Sequence, residues 1–297
     1  MKHYFDFDIL MNNAAVSFGI FDGVHTGHRA VIEKMISHDC SVVISFVTEE
    51  ESIYTETEKE YLLDRLGVGN MISVPAKKYM TLPMDEFVGE YLVQKLGVGT
   101  VVVGENYEKL TELKTACEKN NITIEIAAEI SDGGEPVTSD MLKRIIKDGD
   151  MDRAFRLMGG SYVIAGPVVH GKGAGRQHGM PTANLGYARN KIWPKNGVYG
   201  TAVRIKDSSR RGVTNIGPRP SDDNLPVPTC ETYILDFDGS IYDTDIVLEA
   251  FIYVRPVIRF SNLDEVKEQI DKDIEWIKKK MPDAEIFAQG LSLYDIF

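Results

Sequence analysis

Three short stretches bring together side chains suited to phosphate chemistry. In GIFDGVHTGH (residues 19–28), His25 and His28 stand three apart, so on a helix they share one face. Gly19, Gly23 and Gly27 flank them, and Asp22–Gly23 reads as a turn into the helix. Free N–H groups and the helix dipole at such a start attract anions. Imidazoles beside them can donate to phosphate oxygens as charge builds in a transition state. In HGKGAGRQHGMPTAN (170–184), Gly171, Gly173 and Gly175 let the backbone approach a ligand closely and aim N–H groups at phosphate. Lys172 and Arg176 add positive charge there. Thr182 and Asn184, at i and i+2, fall on one side of an extended chain. Their hydroxyl and amide oxygens suit Mg2+, whose charge is balanced mainly by nucleotide phosphates. In TCETYILDF (229–237), alternation groups Glu231 with Tyr233, Leu235 and Phe237. A carboxylate on an apolar face is costly without a task or a partner.

The segment GPVVHGKG comes near a Walker A loop, with Gly166, Gly171 and Lys172 in place. Gly173 stands where the metal-binding Ser or Thr belongs, and no helical pattern follows, so that reading is rejected. His170 and His178 flank the glycines and read as exposed loop histidines.

Two kinds of element must carry these residues. In the first half, strands AAVSFGIF (14–21), SVVISFV (41–47), MISVP, GTVVVG and ITIEIAA alternate with helical patterns. Val31, Ile32, Met35 and Ile36 share one face of the first helix, and Gly67 closes the second. This βα rhythm predicts a doubly wound, Rossmann-like parallel sheet, with the histidine pair at the carboxyl end of its first strand, where such sheets bind ligands. Two short helices follow, and the second ends at Gly159–Gly160, which places the domain boundary at 158/159. Residues 159–297 then change to short runs rich in Val, Ile, Tyr and Thr, separated by Gly, Pro, Asn and Asp. They predict an antiparallel β-barrel or sandwich. A closing helix carries Leu263, Val266, Ile270, Ile274 and Ile277, with Ser261 or Asn262 as its cap.

Composition narrows the class. The 297 residues carry a formal net charge of -12, which opposes general binding to nucleic acid or anionic membranes. Any anion site is therefore a local positive patch. Cys40, Cys117 and Cys230 lie far apart, so neither a zinc knuckle nor a disulfide framework is expected. The first residues lack the order of a signal peptide, and no apolar run is long enough to span a bilayer, so the expectation is a soluble cytoplasmic protein.

GIFDGVHTGH resembles the H-x-G-H nucleotidyltransferase signature in the form seen in bacterial FAD synthetases. Residues 160–280 resemble the riboflavin kinase family. Gly166 through PTAN, GVYG (197–200), TNIGPRPS (214–221), CETYILDF (230–237), VRP (254–256) and FSNLDEVKEQIDKD (260–273) follow in that family's order. The whole chain is similar to the two-domain bacterial riboflavin kinase/FMN adenylyltransferase family. The resemblance implies that ATP and riboflavin give FMN and ADP, and that ATP and FMN then give FAD and pyrophosphate. It implies Glu231 as the base of the kinase, and His25 and His28 as the pair that steadies a triphosphate. Nucleotide contacts would come from Gly19, Phe21, Asp22, Gly27, Ser139 and Lys143 in the first half, and from Gly171, Lys172, Gly173, Gly175 and Arg176 in the second. Thr182 and Asn184 would hold Mg2+. The substrates implied are riboflavin, FMN and ATP.

The first half departs from that pattern in places. VTEEES follows Phe46 where the family has Asp-Pro-His-Pro, and ENYEKLTELK follows the VVVG strand. Asp140 replaces a Thr, and Lys143 stands for an Arg unless Arg144 takes that place. An Asp repels triphosphate, and a Lys cannot form the bidentate fork of an Arg. The alternative expectation is therefore a riboflavin kinase whose first domain serves as a scaffold or nucleotide sensor. A flavin-binding regulator without catalysis is a third reading, opposed by the intact Glu231 and PTAN.

Overall fold

The computed structural model describes residues 1–170, 181–186, 190–218, 228–258 and 260–281. The glycine-rich residues 171–176 named above therefore lie outside the described residues. The chain divides into two compact units, Met1–Met141 and Leu142–Phe297.

The first unit runs β1 (Lys2–Tyr4), β2 (Ala14–Gly19), α1 (Thr26–Ile36), β3 (Ser41–Val47), α2 (Glu56–Arg65) and β4 (Asn70–Pro75). Short turns α3 (Ala76–Tyr79) and α4 (Met84–Glu86) lead into a π-helical segment (Phe87–Lys95). Then come β5 (Val98–Gly104), α5 (Leu110–Lys119), β6 (Thr123–Ala127), a hairpin of β7 (Ser131–Asp132) and β8 (Glu135–Pro136), and the start of α6 (Ser139–Asp148). Strands β1 to β6 form one sheet in the order β1-β4-β3-β2-β5-β6, with every pairing parallel. The chain winds outward from β2 through β3 to β4, then starts again on the other side with β5. The gap between β2 and β5 is thus the topological switch point, where such sheets open a ligand crevice. Val16, Phe18, Ile44, Val101 and Val103 are buried in the sheet's core. Helix α2 opens with a capping box, in which Thr55 accepts from the Glu58 N–H and Glu58 accepts from the Thr55 N–H. β1 and the β7–β8 hairpin were not legible in the pattern, being too short to show a period.

The second unit holds the rest of α6, α7 (Met151–Met158), β9 (Ile164–Val169), β10 (Thr182–Leu185), β11 (Gly197–Ile205), β12 (Ser208–Pro218), β13 (Pro228–Ile234), β14 (Asp245–Arg255) and α8 (Leu263–Lys280). Strands β9 to β14 close a barrel in the order β10-β13-β12-β11-β14-β9, with antiparallel pairings. Closure leaves no open sheet edge. Inside it, Thr201, Thr214 and Thr232 are fully buried and satisfy one another: the Thr201 and Thr214 hydroxyl oxygens are 2.7 Å apart, and Thr214 donates to Thr232 at 2.8 Å. Asn262 caps α8 by accepting from the Glu265 N–H at 2.9 Å. The helix is pinned to β14 where Arg255 donates to both oxygens of buried Asp273, at 3.0, 3.1 and 2.7 Å. One turn later Ile277 lies against Gly200, where a Cβ would sit 3.0 Å from the isoleucine. The VRP and DKD motifs thus include the two halves of a helix anchor.

Candidate functional site

In the first unit the decisive geometry is the turn from β2 into α1. The strand ends at Gly19, two residues short of the Phe21 expected from alternation. The backbone then turns through left-handed φ at Phe21 (50°), Gly23 (84°) and Val24 (38°). Positive φ is ordinary for glycine but an outlier for a β-branched valine, and such strain persists only where neighbours enforce it. Several do. Asp22 is buried, and its carboxylate accepts from the N–H groups of Ile53 at 2.7 Å and Tyr54 at 3.3 Å. The Ser139 hydroxyl donates to the Asp22 carbonyl at 2.7 Å. Both residues therefore brace the turn, and Ser139 also faces the cavity beside it.

The turn delivers the histidines. His25 caps α1, its Nδ1 accepting from the His28 N–H at 3.4 Å, so the neutral ring keeps its proton on Nε2. The two imidazoles stack with centroids 3.7 Å apart, and the Phe21 ring lies 5.1 Å from that of His28. Burial lowers the His25 pKa to about 4. Burial holds His28 well below the usual histidine range, helped by the His25 ring and by Lys59. Its Nδ1 is buried with no hydrogen-bond partner among the described residues. Gly27 leaves room for the stack, because a Cβ there would sit 3.1 Å from two atoms of the His25 ring. Both histidines, with Gly19, Phe21 and Gly27, line a cavity of about 490 Å³ at the carboxyl ends of β2 and β5. Aromatic rings of Phe46, Phe87 and Tyr107 form much of the rest of its wall. A polar end of neutral imidazoles and an apolar wall of rings suit a ligand with an anionic part and a flat part. Lys143 lies further along α6, half-buried, within the second unit.

In the second unit, register makes the site. Asn184 of β10 pairs directly with Glu231 of β13, and Thr182 pairs with Tyr233. Glu231 is also the partner of Asn215 on β12. Directly opposed residues put their side chains on one face of the sheet, with Cβ atoms about 5 Å apart. Thr182, Asn184, Glu231 and Asn215 therefore share one face, and all four are partly exposed. This corrects the expected surroundings of Glu231. The inward face carries Cys230, Thr232 and Ile234, and β13 stops at Ile234, before Leu235 and Phe237. Glu231 thus stands on the wetter, outward face. Among the described residues it makes no ion pair. Nothing in TNIG marks Asn215 by type or spacing; only the register sets it beside Glu231. His170 is exposed, and its ring stacks on that of Tyr242 with centroids 4.1 Å apart.

A parallel sheet with a histidine pair at its switch point, joined to a closed barrel with PTAN opposite a glutamate, defines a nucleotidyltransferase-plus-flavokinase class of chain. Comparison with known proteins agrees for both halves. Residues 10–141 match the family model described as FAD synthetase, and residues 158–281 match that of riboflavin kinase. The bifunctional riboflavin kinase/FMN adenylyltransferase of Pseudomonas fluorescens is 31% identical, over 87% of this chain and 90% of that protein. Its counterpart from Listeria monocytogenes is 29% identical, over 88% and 90%. This chain belongs to the bifunctional riboflavin kinase/FMN adenylyltransferase family. A crystal structure of a macrolide-efflux protein from Streptococcus pneumoniae matches with a TM-score of 0.75 and 22% identity, over 92% of this chain and 99% of that one. At that identity the likeness concerns the fold alone. Among the described residues no helix is long and apolar enough to cross a membrane. The FAD synthetase match over the first unit weighs against reading that unit as an idle scaffold.

Proposed function

We propose that the chain makes FMN from riboflavin and ATP on its barrel, and FAD from FMN and ATP at the His25–His28 turn. We place the functional division at 158/159, later than the 141/142 division of the compact units; a riboflavin kinase match that starts at residue 158 supports this. The observation that carries the kinase reading is the register pairing Asn184 with Glu231. It sets a carboxylate beside two neutral oxygen donors on one sheet face. Glu231 takes the proton of the ribityl 5′-hydroxyl as that oxygen attacks the γ-phosphorus and ADP leaves. A divalent cation fits the donor set: the Thr182 hydroxyl and Asn184 amide are hard and uncharged, so phosphates supply the balancing charge. Such a Mg2+ neutralises charge on the transferred phosphoryl group when bound. Gly171, Lys172, Gly173, Gly175 and Arg176 are assigned to the nucleotide phosphates.

At the first unit, a phosphate oxygen of FMN attacks the α-phosphorus of ATP and pyrophosphate leaves. No protein nucleophile is required. His25 and His28 are neutral, so they act as hydrogen-bond donors preset for the developing charge. The aromatic wall of the cavity receives the flat flavin ring. The test is to incubate the purified chain with riboflavin, ATP and Mg2+ and to separate FMN from FAD by chromatography. Glu231→Gln is expected to fold and to lose FMN formation about 10²- to 10⁴-fold. Near-normal phosphorylation by that variant removes the base role. FMN without FAD removes the second activity.

A further inference from the structure

A line of polar groups runs behind the histidine turn. Lys59 of α2 is 2% exposed and does not line the cavity. Its ammonium has three N–H donors. It donates to the Ile20 carbonyl at 2.8 Å, to the Glu56 carboxylate at 2.7 Å and to the Ser45 hydroxyl at 3.4 Å. Those acceptors belong to the turn after β2, to α2 itself and to β3. Glu56 is held in turn by the Ser73 hydroxyl at 2.7 Å. His3 of β1 bridges Ser73 at 2.9 Å and Glu60 at 2.8 Å. The amine is thus the inner end of a chain of bonds reaching the edge strand.

Burying an ammonium is costly unless every donor is used, and here the position has a use. The Ile20 carbonyl belongs to the peptide that leads into Phe21, the first left-handed residue of the turn. Fixing that oxygen fixes the peptide plane, and so the direction in which Phe21, Asp22 and Gly23 depart from the strand. Phe21 in turn packs on His28. We infer that Lys59 is a positioning residue for adenylyl transfer, holding the Ile20 peptide so that the strained turn presents its histidines to the cavity. The inference rests on the proposed adenylyl transfer at that turn. The positive charge of Lys59 also helps keep His28 neutral.

The experiment uses the full chain with FMN, ATP and Mg2+, reading kcat and KM for FAD formation, with FMN formation from riboflavin measured in parallel. Lys59→Met is expected to lower kcat for FAD about 100-fold with KM for ATP within about threefold, since small misplacements of a catalytic group cost that much. FMN formation should stay at the wild-type rate. Wild-type chain that makes no FAD from FMN overturns the adenylyl-transfer reading itself. An active wild type with Lys59→Met within about twofold of it overturns the positioning role alone. If Lys59→Met loses its cooperative unfolding transition, Glu56→Gln decides. That variant keeps shape and loosens one hold, so a fall in kcat of about fivefold at unchanged KM supports the inference, and an unchanged kcat overturns it.

Discussion

On the proposed reading, the two units reach phosphate chemistry by different structural means. The first concentrates it at one turn, where buried rings stack and the backbone is held in left-handed φ at Phe21 and Val24. The second spreads it along neighbouring strands, where antiparallel register sets Thr182, Asn184, Glu231 and Asn215 on one half-exposed face. A turn site depends on what surrounds it, because strain needs bracing from Asp22, Ser139 and Lys59. A register site depends on ladder bonds and barrel closure, which tolerate changes in single exposed side chains. The lesson is that the two activities should fail independently, and the first should fail to more distant changes than the second.

The sharpest test of that contrast crosses the two sites. Glu231→Gln should abolish FMN formation from riboflavin while leaving FAD formation from supplied FMN at the wild-type rate. His28→Ala should do the reverse, lowering FAD formation about 10²- to 10³-fold, as loss of a preset donor does. Both rates are read on the same preparations; a variant that depresses both would break the claim of independence. Acid should separate the units next. His25 has a folded pKa of about 4 against an ordinary 6.5, so the native state binds fewer protons than the unfolded chain between those values. The stability of the first unit therefore falls as pH drops through that window, by about 3 kcal/mol for His25 alone. Both tryptophans, Trp193 and Trp276, belong to the second unit. Urea unfolding followed by tryptophan emission should thus shift less between pH 7 and 4.5 than unfolding followed by circular dichroism. The smallest effect is a local one. Gly27→Ala places a methyl 3.1 Å from the His25 ring, and FAD formation should fall about tenfold with FMN formation untouched.

Much of this was legible from the chain. The βα rhythm gave the parallel sheet, and the short Val- and Ile-rich runs gave the barrel, because each pattern has one economical burial. His25 and His28 stood out through their spacing at a strand-to-helix junction. Other features left no trace in residue order. Lys59 sits in TETEKEYLLD, where neither type nor spacing sets it apart from its charged neighbours; only the fold shows that it points inward to Ile20. The left-handed φ of Val24 contradicts the preference of its residue type. Alternation extended past Ile234 predicts an apolar face around Glu231, but the strand ends at Ile234. Alternation says which residues share a face but not which face turns inward, and barrel closure decides that.

The seat of α8 has its own consequence. Asp273 and Ile277 are one helical turn apart, the former clasped by Arg255 and the latter set into the hollow left by Gly200. One fastening would let a cylinder roll about its long axis. Two along the same stripe remove that freedom and index the helix in both rotation and height. Any side chain added at position 200 would lever the joint open from the middle and leave the ion pair as its hinge.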